Sequence, residues 1–100
     1  MENLMLLVLG VFVCVLGAVN LAGNISTIHS YNRRKVREED IPKYGKAVGT
    51  GTLVIGVSMV VAFGLSFLSE MLVAVIVLPA FAVGTGFILY AQFKYNHGIF

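Results

Sequence analysis

The sequence predicts an all-α polytopic membrane protein, with three transmembrane helices packed up-down-up, the N-terminus outside and the C-terminus in the cytoplasm. Three observations carry the prediction. The composition is too apolar for a small soluble domain, three uncharged stretches are each long enough to cross a bilayer, and nearly all the cations lie in one island. Of 100 residues, 58% are apolar and 12% charged, against roughly 45–50% and 25% in soluble proteins. A domain this small buries only about 60% of the surface its unfolded chain exposes, so it cannot hide that much apolar area from water. One domain spanning residues 1–100 is expected.

A span needs about 20 apolar residues. The first runs from Leu4 to Gly23, with Asn20 its one polar side chain. The residues before it carry Glu2 and no Lys or Arg, and no A-x-A site follows, so it is expected to stay in the mature protein rather than act as a cleaved signal. The second runs from about Ala47 to Leu68 and the third from Met71 to about Phe93, interrupted by Pro79 and closed by Lys94. Lipid offers no partner to backbone N–H and C=O groups, so each span must be a helix.

The charged island, Asn24 to Lys46, holds six of the seven Lys/Arg residues and three of the five acids. Its cations are Arg33, Arg34, Lys35, Arg37, Lys43 and Lys46; the seventh, Lys94, falls on the same side once three spans are threaded. The positive-inside rule places that side in the cytoplasm. Tyr31, Tyr44, Tyr90 and Tyr95 fall at the same boundary, as an interfacial aromatic belt would. Ser26 to Arg34 contains no Gly or Pro, so the first helix is expected to continue past the lipid to a total length of about 30 residues. Asp40 is the expected N-cap of the second helix, with Pro42 in its first turn. The loop then shrinks to a hinge near Val36 to Glu39.

Helices in lipid associate by close packing, so small residues mark their contact faces. Gly10, Cys14, Gly17, Ala18 and Leu21 share one face of the first helix. Gly45, Gly49, Thr52 and Gly56 form a stripe on the second, and Ser58, Ala62 and Ser66 another. The third offers Ala80 with Gly84 and Ala82 with Gly86. Three helices close a bundle with two faces each, so the surplus points to self-association or to a larger membrane partner.

Chemistry-bearing groupings are sparse. No charged residue lies mid-span, which argues against proton-coupled transport. A formal charge of +2 is too weak for nucleic acid, and the lone Cys14 has no second cysteine to pair with. His29 and Asn32 continue the first helix's seam and are expected to form a polar latch. A metal or haem site built from His29 and His97 is the sharper alternative, but no Cys or acid stands at ligand spacing. No triad, phosphate loop or carboxylate pair is present, so no catalytic residue, metal or cofactor is expected. Arg33, Arg34, Lys35 and Arg37 either contact anionic membrane lipids or serve only to set topology.

The stretch from Asn24 to Val57, NISTIHSYNRRKVREEDIPKYGKAVGTGTLVIGV, resembles a family of small bacterial integral-membrane proteins of unknown function. They carry a similar STIH-x-Y-x-RR-x-V-x-EE…YGK-x-VG-x-GT run between two apolar segments. The resemblance implies a protein of the bacterial cytoplasmic membrane and supplies no activity, so no functional residue is carried over. Three functions remain open. The chain is a non-enzymatic helical module, or an oligomeric transporter or channel lined by Thr50, Thr52, Ser58, Ser66 and Thr85, or a membrane enzyme or cofactor carrier. The first is favoured.

Overall fold

A computed structural model of the chain describes residues 2–25 and 36–97. Among the described residues there are three α-helices, one 3-10 turn and no strand. The helices are α1 (Glu2–Leu21), α2 (Ile41–Leu65) and α3 (Met71–Tyr95), and each is long and apolar enough to cross a membrane. At 20 residues α1 is the shortest, yet at 1.5 Å per residue it still reaches about 30 Å, the thickness of a bilayer's hydrocarbon core.

The arrangement is up-down-up, with α2 in the middle. Both α1 and α3 pack along α2, antiparallel to it, and hardly touch each other. Gly10 of α1 lies against Met59 and Val60, while Gly17 lies against Leu53 and Gly49, so the two helices run in opposite directions. The outward faces are apolar over most of the length of the helices. Phe12, Val15, Val57, Val61, Leu78, Phe81 and Phe93 are all exposed, a surface that only lipid or another apolar partner could cover without cost.

Helix α1 is shorter than the sequence reading expects. It stops at Leu21 because Gly23 adopts φ +101°, a left-handed conformation that residues with a Cβ resist. The Gly23 N–H donates to the Asn20 carbonyl (2.9 Å) and the Asn24 N–H to the Val19 carbonyl (3.2 Å). That pair of bonds is a Schellman motif, which satisfies the helix's last carbonyls and ends it. The Asn20 side chain adds a bond to the Asn24 carbonyl (2.9 Å). The expected extension of α1 toward Arg34 is therefore broken at Gly23.

One further expectation needs correction. Asp40 does precede α2, but it has helical φ and ψ and makes no side-chain capping bond. The 3-10 turn Glu38–Asp40 leads the backbone into the helix instead. Pro79 lies inside α3, which is continuous from Met71 to Tyr95. Proline is tolerated inside membrane helices because neighbouring groups take up the backbone partner it frees. At the opposite end of the bundle the link is short, and Ser69 Oγ accepts a bond from the Met71 N–H (3.3 Å).

Candidate functional site

The bundle's contacts are concentrated in two seams of α2 and in a polar cluster at the end where the charged loop enters. In the α1–α2 seam, backbone meets backbone. A Cβ placed on Gly49 would lie 2.5 Å from the Leu21 nitrogen and 2.7 Å from the Gly17 carbonyl oxygen. One on Gly17 would lie 2.9 Å from the Leu53 nitrogen, and one on Gly45 2.6 Å from the Asn20 carbonyl oxygen. One on Gly56 would come within 2.8 Å of both the nitrogen and Sγ of Cys14. Gly10, Cys14, Gly17, Gly45, Gly49 and Gly56 thus all meet in this seam, inside a single chain. Ala18, expected on the same face of α1, is exposed.

The α2–α3 seam uses a different glycine. Gly84 of α3 packs against Gly51, and a Cβ on Gly84 would lie 2.5 Å from the Gly51 carbonyl oxygen and from Ile55 Cγ1. Gly51 lies off the Gly45–Gly49–Gly56 stripe, and its role is not visible from that spacing. Gly86, two residues further along α3, has no atom within 4 Å of the position its Cβ would take.

The polar cluster joins the helices at the loop end. Tyr44 is fully buried and its hydroxyl donates a hydrogen bond to Gln92 Oε1, tying α2 to α3. Asn20 and Asn96 are buried beside an apolar cluster of Ile25, Tyr44, Val48 and Ala91. Tyr44 is therefore a core residue and not a member of a lipid-facing belt. Tyr90 is exposed, and its hydroxyl accepts a bond from Lys94 Nζ (2.8 Å). Lys94 also lies over the rings of Tyr90 and Tyr95, at 5.2 and 5.6 Å from their centroids.

The expected latch residues His29 and Asn32 lie outside the described residues, as do Tyr31, Arg33, Arg34 and Lys35. Arg37 is described and exposed, paired with Glu39 at 3.7 Å with both side chains 74% exposed. A pair so open to solvent contributes little. Tyr44 with Gln92 is a latch that the sequence reading missed. The available signal was an amide, Gln92, standing near the end of an otherwise apolar run, where a side-chain amide in lipid seeks an interhelical partner.

Of the five hydroxyls expected to line a pore, the four of α2 and its C-terminal end bond to their own helix. Thr50 donates to the Lys46 carbonyl (2.7 Å), Thr52 to Val48 (2.8 Å), Ser58 to Ile55 (2.6 Å) and Ser66 to Phe63 (2.6 Å). Among the described residues no three His, Cys, Asp or Glu side chains converge as a metal-ligand set. Comparison of the chain with protein-family models, curated proteins and solved structures found no match.

Proposed function

We propose that the chain is a small multi-pass protein of the bacterial cytoplasmic membrane, a non-enzymatic helical module that associates with a second copy or a larger membrane partner. The observation that carries the proposal is the uncovered side of α3. Gly84 is packed into the bundle, while Gly86 faces open space beside Val83, Phe87 and Tyr90, which border a cleft of about 350 Å³. Small residues on an open face let another backbone approach closely, which is the main source of helix affinity in lipid. The α2 hydroxyls favour this reading over an oligomeric pore, since each already has an acceptor in its own backbone.

Gentle extraction followed by native mass spectrometry tests the proposal. The expected result is a discrete homo-oligomer or a complex with a second polypeptide, and a bare monomer from native membranes overturns it. Orientation has its own test: by the positive-inside rule the cation distribution favours a loop and C-terminus inside. Reporter fusions at Glu70 and Phe100 should report opposite sides of the membrane.

A further inference from the structure

The side of α2 that neither neighbour covers is continuous along the helix. Lys43, Lys46, Thr50, Val54, Val57 and Val61 recur every three or four residues and so share one face. The α1 seam uses Gly45, Gly49 and Gly56, and the α3 seam uses Gly51 and Ile55. The face between them carries two adjoining hollows. One, of about 290 Å³, lies between Lys43 and Lys46 of α2 and Phe87, Tyr90 and Tyr95 of α3. The other, of about 560 Å³, runs past Val54, Val57 and Val61, with Leu21 of α1 and Ile76 of α3 at its rims. Thr50 borders both, so they form one groove with a basic mouth and an apolar floor.

The chemistry of the mouth is one-sided. Among the described residues Lys43 and Lys46 make no ion pair or side-chain hydrogen bond. The Lys94 ammonium is held against the mouth's wall by Tyr90. No acid lines this hollow; Asp40 acts on Lys94 from outside it and Glu39 pairs with Arg37, so the charge on the lining is positive. The floor offers almost no polar group, because the hydroxyls of Thr50 and Ser58 donate to their own helix. From Thr50 to Val61 the helix rises about 16 Å, close to half of a hydrocarbon core about 30 Å thick. The apolar floor is one leaflet deep.

We propose that this face of α2 binds one anionic phospholipid, with its phosphate between Lys43 and Lys46 and an acyl chain along Val54, Val57 and Val61. A second copy docked here about a two-fold axis along the membrane normal would set lysines against lysines, which charge complementarity disfavours. A free phosphate ion would leave the apolar floor unused. The inference rests on the membrane placement of the helices.

Native mass spectrometry of the full chain in detergent tests it, with phosphatidylglycerol and phosphatidylcholine of identical acyl chains as probes. Phosphatidylglycerol should be retained at least tenfold better. The Lys43→Gln, Lys46→Gln double variant should lose roughly thirty-fold of that retention, from the usual contribution of a cation near an anionic headgroup. Val57→Trp, which fills the floor, should lower retention of both lipids. Equal retention of the two lipids, an unaffected lysine double variant, or displacement of the lipid by millimolar inorganic phosphate overturns the proposal. Loss of a dimer in Val57→Trp would assign the face to a second copy and overturn it too. If the membrane placement itself is at fault, alkaline carbonate will strip the chain from membranes, an outcome distinct from failed lipid retention.

Discussion

The two seams of α2 hold their neighbours by different means. Toward α1, glycines on both helices bring backbone against backbone at several levels, from Gly10 near one end to Gly45 at the other. Toward α3 there is one such approach, Gly51 on Gly84, and a hydrogen bond from Tyr44 to Gln92. Lipid chains are as apolar as leucine, so neither seam gains from a hydrophobic effect; each depends on how closely atoms pack and on polar groups kept from lipid. The first seam is the tighter of the two by geometry, and the second is fixed by a polar anchor at one end.

The largest effect should come from filling the first seam. Gly49→Leu puts a side chain where Leu21 and Gly17 backbone atoms already stand within 2.7 Å of a Cβ. Backbone cannot swing aside as a side chain can, so α1 must separate from α2, and a loss of about 3 kcal/mol or more is expected. Unfolding in mixed micelles with rising sodium dodecyl sulfate measures it. A wild-type midpoint in this variant would show that the seam is loose.

The anchor of the second seam should rank next. Tyr44→Phe keeps the ring and removes the donor to the buried Gln92 oxygen. In membrane proteins such bonds contribute up to about 1.5 kcal/mol. The same titration should show a loss of that size, and adding Gln92→Leu should cost less than the two single changes combined. Full additivity would mean that the pair is uncoupled.

How much of this could be read from the chain depends on what periodicity conveys. The three spans were legible because uninterrupted apolar runs of this length have one solution in a bilayer. The α1–α2 seam was legible because Gly10, Cys14 and Gly17 repeat at helical spacing, as do Gly45, Gly49 and Gly56. What spacing does not convey is the azimuth at which a third helix arrives. Tyr44 sits at a membrane boundary whether it faces lipid or α3, and only α3's position makes it core. Gly51 was hidden for the same reason, being one residue off a more regular stripe. The end of α1 was legible in principle, since Gly23-Asn24 is a stop signal, but it was absorbed into the span as a small apolar residue.

Gly23 separates two uses of glycine. Nothing lies within 4 Å of the position its Cβ would occupy, while its φ is +101°. Gly23→Ala therefore meets no neighbour and costs only backbone strain, about 1 kcal/mol. The micelle titration should show a shift well below that of Gly49→Leu. A shift as large would mean that the Schellman turn positions more of the loop end than its own bonds.

Gly86→Leu should leave the fold of one chain almost untouched, because its Cβ meets open space and its φ is ordinary. Its neighbour Gly84 offers the matched control, since Gly84→Leu intrudes on Gly51 and Ile55. The comparison divides intramolecular from intermolecular packing on one helix. If the open side of α3 receives another helix, Gly86→Leu keeps its unfolding midpoint within about 0.5 kcal/mol of wild type and loses the oligomer or the co-purifying chain. If it faces only lipid, neither quantity changes, because a leucine there is as well solvated by acyl chains as the glycine it replaces. An unchanged assembly with a lowered midpoint would place Gly86 inside the bundle, and the uncovered side of α3 would have to be sought at another azimuth.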